Sequence, residues 1–404
     1  MIVADFNGDG KPDLAVGRSA GLSVFLGLGN GRFAASTSIT NYSIGWGSCL
    51  AAGDCNGDHK LDLVTAGMYS GTVLLGDGRG NFPVLTNSVV CYDAYGLALG
   101  DFNGDGKLDL ATRSSSYHAV EVEFGRGDGS FGTVTNYTLA NDFSDIRAGD
   151  LNGDGRLDLV IALNSPAALN SNTVCVLLNT GVGTFAAPQY YGGASGTIDY
   201  ERSLELADLN HDGSLDLALL NDVAGSVTIR LNNGAGTFGA PTDYPVGFSP
   251  LSIAAADFNG DGNMDLFVRG GTTAVILLGY GDGSFTVGAP MSVPDDSGRH
   301  GTVAVGDFNG DGMPDIAFLD NSGGAVAVML NQTPPMLQLT PMPGYNQLSW
   351  LTTFGAGYTL ECTTNPAVPD GWQSFPFPPV MMGNQKAVTD WDDRQQKFYR
   401  LRKP

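Results

Sequence analysis

The chain has 404 residues, with 42 acidic against 20 basic side chains and a formal net charge of −22. A chain this acidic repels nucleic acid and anionic membranes, so we expect neither as a partner. Glycine is frequent at 58 residues while 42% of the residues are hydrophobic, which excludes a disordered chain and indicates short strands joined by tight turns. The length exceeds one compact core and predicts a large repeat domain with a small additional one.

One loop pattern, D-x-N-x-D-G-x-x-D, recurs seven times, and we number these copies loop one to loop seven. Successive copies are 49, 47, 49, 58, 49 and 50 residues apart, a period typical of repeat architectures. The longest spacing predicts inserted chain around residues 165–173 and 192–202. The first aspartates of the loops are Asp5, Asp54, Asp101, Asp150, Asp208, Asp257 and Asp307.

Each period carries the same series of short apolar segments around its loop. An alternating segment such as 251–256 precedes the loop, and two more, such as 158–162 and 174–178, follow it. A glycine-rich turn that closes on phenylalanine, such as 125–131, then leads to a fourth extended segment. Such segments are too short for helices and rich in Val, Ile and Leu, so they predict strands. Four strands per period predict one blade, and residues 1–333 are therefore predicted to form an all-β, seven-bladed β-propeller.

The two ends of this repeat region do not match. The seventh period passes from residues 328–331 into Thr333-Pro334-Pro335 without a glycine–phenylalanine turn, and only four residues precede Asp5. Propellers usually close by sharing one blade between the chain ends. We therefore expect either that the chain is part of a longer one or that the last blade has an exposed edge. A solenoid is the competing architecture, but its calcium-binding form repeats every nine residues with G-G-x-G-x-D, which does not occur here.

The final segment, 334–404, differs in character from the repeats. Alternating segments around Trp350 and over 358–361 and 398–402 predict a small C-terminal all-β module after a proline-rich linker. No stretch approaches the roughly 20 apolar residues of a membrane helix, and residues 1–4 are no signal peptide. Five scattered cysteines predict buried thiols rather than a disulfide framework, with a Cys49–Cys91 bridge as the alternative.

The loops carry the oxygen donors that calcium prefers. Ca²⁺ takes six to eight oxygen ligands in flexible geometry. Side chains at loop positions 1, 3, 5 and 9 and the carbonyl of position 7 can converge on an ion, while glycine at position 6 permits the turn. Three aspartates in each of seven loops make half of the 42 acidic residues, and clustered carboxylates repel each other unless a cation lies among them. The predicted calcium ligands are Asp5, Asn7, Asp9, Lys11, Asp13, Asp54, Asn56, Asp58, Lys60, Asp62, Asp101, Asn103, Asp105, Lys107, Asp109, Asp150, Asn152, Asp154, Arg156, Asp158, Asp208, Asn210, Asp212, Ser214, Asp216, Asp257, Asn259, Asp261, Asn263, Asp265, Asp307, Asn309, Asp311, Met313 and Asp315.

Other interpretations of the loops fit less well. An EF-hand needs a bidentate Glu at position 12, where loop one has Val16. Plain Asp-Gly hairpin turns do not require all four donors in seven copies, and Mg²⁺ seldom uses an all-protein cage. Loop two has His59 in place of the position 6 glycine, so we predict its site to be the weakest. His211 stands at position 4 of loop five, and neither histidine predicts zinc, because no second histidine or thiolate lies at ligand spacing.

The loops, together with Phe238-Gly-Ala-Pro241 and Phe185-Ala-Ala-Pro188, resemble the FG-GAP/VCBS repeats of integrin-α-type seven-bladed propellers. The resemblance covers residues 1–333. It implies up to seven structural calcium ions, in the hairpins between the first and second strands of each blade. It also implies a role in extracellular adhesion or ligand binding. The end of the chain resembles small terminal modules of large secreted bacterial proteins.

The leading functional hypothesis is a secreted or cell-surface, calcium-stabilised binding or adhesion module for a carbohydrate or protein ligand. Calcium is abundant outside cells and scarce in the cytosol, so the loops favour export. The calcium hairpins and the glycine–phenylalanine turns are predicted to share one face. The opposite face is the predicted ligand face, since aromatic residues with a few polar groups suit sugars and proteins, although packing of loop against loop is the alternative. Its residues are Trp46, Tyr69, Tyr95, Tyr117, His118, Tyr200, Arg202, Arg299 and His300.

Two further hypotheses are a propeller-based polysaccharide lyase or hydrolase and a purely structural repeat of a larger surface protein. Only four histidines exist, two of them inside loops, and no G-x-S-x-G, H-E-x-x-H or P-loop pattern is present. The clustered acids are assigned to metal, which leaves no evident catalytic carboxylate pair. The sequence therefore predicts no catalytic residues and favours a binder over an enzyme.

Overall fold

A computed structural model describes residues 1–18, 21–34, 37–39, 49–67, 71–89, 96–114, 118–163, 174–192, 204–294, 303–320, 325–331, 338–342, 345–351, 359–363, 373–374, 380–382, 385–390 and 398–402. Within these ranges the secondary structure consists of 37 strands and no helix. The first 30 strands form seven antiparallel blades around a central axis, in chain order, which confirms the predicted all-β, seven-bladed propeller. The described part of the chain accordingly contains no helix that could span a membrane.

The blades share one internal order, in which each strand pairs with the next along the chain. The first strands line the axis, because each one lies beside the first strand of the neighbouring blade. These first strands are β1 (Ile2–Ala4), β5 (Cys49–Gly53), β9 (Leu97–Gly100), β13 (Phe143–Gly149), β19 (Leu204–Ala207), β23 (Ser252–Ala256) and β28 (Val303–Gly306). The second strands are β2 (Asp13–Arg18), β6 (Asp62–Ala66), β10 (Asp109–Ser114), β14 (Asp158–Leu163), β20 (Asp216–Asn221), β24 (Asp265–Gly270) and β29 (Asp315–Asp320).

The outer strands follow the same succession. The third strands are β3 (Gly21–Phe25), β7 (Gly71–Leu75), β11 (Ala119–Gly125), β15 (Val174–Leu177), β21 (Ser226–Arg230), β25 (Thr273–Gly279) and β30 (Ala325–Met329). The fourth strands are β4 (Thr37–Ile39), β8 (Val84–Val89), β12 (Phe131–Thr138), β18 (Gln189–Tyr191), β22 (Thr242–Pro245) and, in blade six, β26 (Phe285–Val287) with β27 (Met291–Ser292). The turn of blade four contains a small hairpin of β16 (Asn179–Gly181) and β17 (Thr184–Phe185).

Buried apolar side chains hold the blades to one another. They form seven clusters, one at each junction between neighbouring blades. Alternation along the first strands produces this division: Leu97 and Leu99 pack toward blade two, whereas Ala98 between them packs toward blade four. Since each fully buried Val, Leu or Phe side chain contributes about 1.5–3 kcal/mol, these junctions supply the main driving force of the fold.

The ring closes between blade seven and blade one. Met1 and Leu14 of blade one form a buried cluster with Ala304 and Phe308 of blade seven. Strand β1 lies beside β28, as the other first strands lie beside their neighbours. Among the described residues, blade seven has three strands, and its junction with blade one is packed like the other junctions of the ring.

The C-terminal residues form two antiparallel sheets. One has the order β31-β32-β36-β35 and the other β34-β33-β37. The segments predicted around Trp350 and over 398–402 coincide with strands, as do residues 359–361 of the third predicted segment. The prediction that 334–404 is a separate module stays a prediction. The strands are β31 (Gln338–Met342), β32 (Tyr345–Leu351), β33 (Thr359–Thr363), β34 (Gln373–Ser374), β35 (Val380–Met382), β36 (Gln385–Asp390) and β37 (Phe398–Arg402).

Two cysteines fit the prediction of buried thiols. Cys55 and Cys175 are buried and form no disulfide, and burial raises the pKa of each thiol to about 12. The alternative Cys49–Cys91 bridge involves Cys91, which lies outside the described residues.

Candidate metal-binding loops and ligand face

The first aspartate of each loop closes the turn by accepting backbone hydrogen bonds. In loop one, Asp5 Oδ1 accepts the N–H groups of Gly8 at 2.8 Å and Asp9 at 3.1 Å, and Asp5 Oδ2 accepts that of Gly10 at 2.7 Å. All seven first aspartates accept the N–H groups of positions 5 and 6 in this way. Asn7 Oδ1 accepts the Asp9 N–H at 2.9 Å. The motif therefore folds each loop tightly around its first side chain.

Positions 4 and 6 of the loops require left-handed backbone, which glycine adopts without strain. Gly8 and Gly10 have φ of 73° and 78°. His59 at position 6 of loop two has φ of 61°, and His211 at position 4 of loop five has φ of 59°. This conformation costs a non-glycine residue roughly 1–2 kcal/mol. The substitution that marks loop two as the weakest site is accommodated, but under local strain.

The last aspartate of each loop joins the loop to the glycine–phenylalanine turn of the same blade. Asp13 Oδ2 accepts the Phe6 N–H at 2.9 Å, and Asp13 Oδ1 accepts the Gly27 N–H at 2.6 Å. The seven equivalent carboxylates are fully buried and make the corresponding pair of bonds: Asp13, Asp62, Asp109, Asp158, Asp216, Asp265 and Asp315. Position 9 is therefore a structural clasp, in addition to its predicted role as a ligand.

Burial shifts the ionisation of these clasp carboxylates. It raises the pKa of Asp109, Asp216, Asp265 and Asp315 to about 6, because the charged form loses its hydration and the other aspartates of the loop repel it. The two backbone N–H bonds oppose this shift. A positive charge near the clasp would favour the carboxylate form.

Positions 5 and 7 differ between two groups of loops. In loops one to four, position 7 is basic and its side chain contacts the position 5 carboxylate: Lys11 with Asp9 at 3.2 Å, Lys60 with Asp58 at 3.0 Å, Lys107 with Asp105 at 3.9 Å, and Arg156 with Asp154. The hydrogen bond from Lys60 lowers the pKa of Asp58. In loops five to seven, position 7 is Ser214, Asn263 or Met313, and the position 3 amide donates to the position 5 carboxylate at 2.9–3.0 Å.

The loops suit calcium by donor chemistry. Every side-chain donor at positions 1, 3, 5 and 9 is an oxygen, and a carboxylate oxygen that accepts one N–H keeps a second lone pair for a cation. Over the described ranges, no three acidic, histidine or cysteine side chains already form a group that could hold a metal ion. Binding would therefore draw the carboxylates of a loop closer together, and calcium ligation stays a prediction.

The glycine–phenylalanine turns also contact the loop of the preceding blade. Loops and turns therefore lie on one face, as predicted. Gly80 donates its N–H to Phe6 O at 3.1 Å, and the Phe82 ring packs edge-on against the Phe6 ring at 5.8 Å. Gly31 donates to Phe308 O at 2.8 Å, which joins blade one to blade seven. We call this surface, made by loops one to seven and the glycine–phenylalanine turns, the loop face.

Sequence reasoning missed a second set of links on the loop face. Blades four, five and seven have asparagine at the position where the other blades have the first glycine of the turn. Their side-chain amides donate to the preceding loop: Asn179 to Phe102 O, Asn232 to Leu151 O and Asn331 to Phe258 O, at 2.7–2.8 Å. The occurrence of Gly in some blades and Asn in others at this one position was the sequence signal that could have indicated these links.

The opposite face, the predicted ligand face, is mostly beyond the described ranges. Trp46, Tyr69, Tyr95, Tyr117, Tyr200, Arg202, Arg299 and His300 lie outside the described residues. His118 lies in the connection between β10 and β11, at the end of the blade away from loop three, and is exposed. It has φ of 45°, and its carbonyl accepts the Leu139 N–H at 2.7 Å. The use of this face for a ligand stays a prediction.

The chain matches a known family of repeats. Five windows match the model of the FG-GAP-like repeat family: residues 5–65, 54–112, 101–161, 208–268 and 257–318. Each window runs from one loop to the strand after the next loop, and together they contain all seven loops and well over half of the chain. The protein is a propeller built from these repeats and belongs to the FG-GAP-like repeat family. A search of curated protein sequences finds no match.

Solved structures share the fold. An Agrocybe aegerita lectin, described as recognising non-reducing terminal N-acetylglucosamine, aligns with a TM-score of 0.53 at 23% identity, over 73% of this chain and 79% of that one. BBS1N, solved in complex with ARL6DN, aligns with a TM-score of 0.51 at 12% identity, over 82% and 92%. A protein of unknown function from Desulfotomaculum acetoxidans aligns with a TM-score of 0.52 at 10% identity, over 78% and 91%. At these identities the likeness shows the fold alone.

Proposed function

We propose that this protein is an exported, calcium-stabilised binding module, with carbohydrate as its ligand class ahead of protein. Its fold and family are those of a binding or structural module. The observation that carries the proposal is the sevenfold loop, which places the same oxygen donors at the same turn of every blade on one face. A repeated cation site stabilises a repeated fold, which suits a rigid module that presents a ligand surface.

Calcium would act on stability and not on chemistry. It would offset repulsion among the three carboxylates of a loop, and seven ions would reduce the net charge from −22 to −8. By mass action, each site adds about 2.7 kcal/mol to the free energy of unfolding when free calcium exceeds its Kd by a hundredfold. Because such concentrations exist outside cells, this dependence supports export.

Two observations support carbohydrate as the ligand class. The acidic surface disfavours anionic partners such as nucleic acid, whereas neutral sugars carry no charge to be repelled. A lectin with the same fold recognises a sugar, which makes carbohydrate the first class to examine. Protein ligands and turnover of a polysaccharide are the outcomes that would change this ranking.

Binding of an array of neutral and charged glycans, in calcium and after chelation with EGTA, tests the ligand class. We expect bound glycans in calcium. We expect reduced binding after chelation, because loops without calcium are less stable and hold the propeller less rigidly. A silent array would contradict the carbohydrate assignment, and turnover of a polysaccharide would favour the enzyme alternative. Thermal unfolding of the same samples tests calcium independently, as described in the Discussion.

A further inference from the structure

The seven repeats serve as an internal reference, and three departures from it meet at one place. His211 holds position 4 of loop five, where the other six loops have glycine. Asn263 holds position 7 of loop six, where four loops have a basic residue. Tyr280 is the second residue of the blade six turn, where the other described turns have Leu, Asp, Arg, Thr or Asn. All three lie on the loop face at the junction of blades five and six.

Contacts bring these residues into one group. The His211 ring Nε2 lies 3.0 Å from Asn263 Oδ1, which links loop five to loop six. The blade six turn passes closely over this pair: a Cβ added to Gly281 would lie 2.9 Å from His211 Cδ2 and would clash with Asn263 Oδ1. Tyr280 directly precedes Gly281, so its backbone adjoins the His211–Asn263 pair.

The tyrosine presents a fixed aromatic surface. Tyr280 is 62% exposed, which is unusual for so large a side chain in a well-packed turn. Its hydroxyl lies 2.6 Å from Thr286 Oγ1 on the neighbouring strand β26, and this bond holds the ring in place. The blade six turn thus carries an exposed ring at Tyr280 and covers the imidazole and the amide at Gly281, so one turn brings together an apolar surface and polar groups.

Core packing does not account for Tyr280 or for His211. Tyr280 is too exposed to contribute to a core, and His211 adopts left-handed backbone with φ of 59°, which a glycine would adopt without strain. His59 shows what an isolated departure looks like: its side chain is 97% exposed and its ring lies near Asp54 of its own loop, at 3.8 Å. Local rules broken together at one point, without a gain in packing, are typical of a functional site.

We propose that His211, Asn263 and Tyr280 form a binding site for one sugar residue of a neutral glycan. The Tyr280 ring would stack against the C–H face of the sugar, and the His211 and Asn263 side chains would exchange hydrogen bonds with its hydroxyl groups. Loops five and six, which carry His211 and Asn263, each contain three aspartates, and this negative charge disfavours an anionic ligand. This inference rests on the proposed carbohydrate-binding function, and it places a ligand on the loop face as well as, or instead of, the opposite face.

Three variants of the full chain test the site, measured against an array of neutral glycans ending in N-acetylglucosamine, galactose, glucose or mannose. Tyr280→Ala removes the ring, His211→Gly restores the residue of the other loops, and Asn263→Lys restores that of loops one to three. We expect each to weaken the strongest wild-type signal by about tenfold or more, as for central residues of an interface. The melting temperature of each variant reports folding, so a loss of binding at an unchanged melting temperature cannot come from unfolding.

Matched controls are His59→Gly, which makes the same exchange in loop two, and Leu28→Ala, which truncates the exposed side chain at the equivalent position of the blade one turn. Both are expected to bind as the wild type does. If the wild type binds glycans and the three variants bind them equally well, the site lies elsewhere and this inference is overturned alone. If the wild type binds no glycan in calcium, the proposed function fails, and this site fails with it.

Discussion

Loops one to four and loops five to seven differ in the side chain that contacts the position 5 carboxylate, where three aspartates repel one another. Both groups fold three aspartates into one short turn and bury the third. In the first group a lysine or arginine at position 7 contacts the position 5 carboxylate, as Lys60 contacts Asp58 at 3.0 Å. In the second group no residue at position 7 is basic, and the position 3 amide takes that contact, as Asn210 does with Asp212 at 2.9 Å.

Loops one to four therefore carry a positive charge beside the position 5 carboxylate, whereas loops five to seven have no basic residue at position 7. A tethered cation neutralises part of the loop charge without any ion, whereas an amide supplies a hydrogen bond and no charge. We therefore expect the metal-free protein to be weakest in blades five to seven, and calcium to stabilise these blades most.

Calcium removal should have the largest effect. Chelation with EGTA is expected to lower the melting temperature by many degrees, because several sites contribute to the free energy of unfolding at once. Amide hydrogen exchange in EGTA should rise first around loops five to seven, and readdition of calcium should reverse it, with Mg²⁺ as the matched control. An unchanged melting temperature would contradict the prediction that the loops bind calcium. Uniform exchange across all seven loops would contradict the prediction that blades five to seven depend most on calcium.

Loss of one clasp aspartate should come next. Asp265→Ala leaves the buried N–H groups of Phe258 and Gly279 without their acceptor, and each unsatisfied buried donor costs about 1–3 kcal/mol. Urea denaturation should therefore show a loss of about 2–6 kcal/mol for the affected blade. Asp109→Ala in blade three removes the two equivalent bonds and provides the comparison between the halves, although Asp265 also accepts the Asn259 N–H at 3.2 Å.

The two clasp variants should differ in their response to calcium. If blades five to seven depend more on the ion, Asp265→Ala loses more of the calcium-induced stabilisation than Asp109→Ala does. Asp282→Ala, at an exposed acid outside the loops, removes only exposed bonds from Ser284 and should cost much less stability than either clasp variant. Equal calcium responses in the two clasp variants would contradict the proposed asymmetry.

The sequence predicted the blades and the loops because both follow from local repetition. The spacing of the first aspartates counts the blades, and the alternation in segments such as Leu97–Gly100 assigns side chains to the two junctions that each strand serves. The sequence pattern did not predict the contacts that join one repeat to the next. The bond from Gly31 to Phe308 and that from Asn179 to Phe102 depend on how far each blade is rotated from its neighbour, which no single repeat encodes.

The same limit explains why the His211–Asn263–Tyr280 group was not predicted. His211 was noted as a departure in its own loop, but its partner is 52 positions along the chain in the next loop. Tyr280 lies in a turn that the pattern treats as a spacer between strands. Only the ring geometry brings the three together, and comparison of equivalent positions across blades was the signal that could have found them.

Exchange of the position 7 residues should have a smaller effect. Ser214→Lys introduces into loop five the cation of loops one to three, and Lys107→Ser removes it from loop three. We expect the first change to stabilise the calcium-free protein and reduce its calcium response, and the second to do the reverse. Exposed ion pairs contribute about 0–1 kcal/mol, so thermal unfolding at low ionic strength, with and without EGTA, is the appropriate measurement. Shifts of the same sign in both variants would show that position 7 does not set the charge balance.

His59→Gly should have the smallest effect and bears on the weakest predicted site. Replacement by glycine at φ of 61° relieves about 1–2 kcal/mol of backbone strain, while the greater freedom of glycine in the unfolded chain returns about 0.5–1 kcal/mol. A net gain of about 0.5 kcal/mol is therefore expected in urea denaturation with EGTA present. In calcium the gain should be larger, because loop two then has the position 6 glycine that the other loops use. A gain that is identical in EGTA and in calcium would show that His59 strains the loop without weakening its metal site.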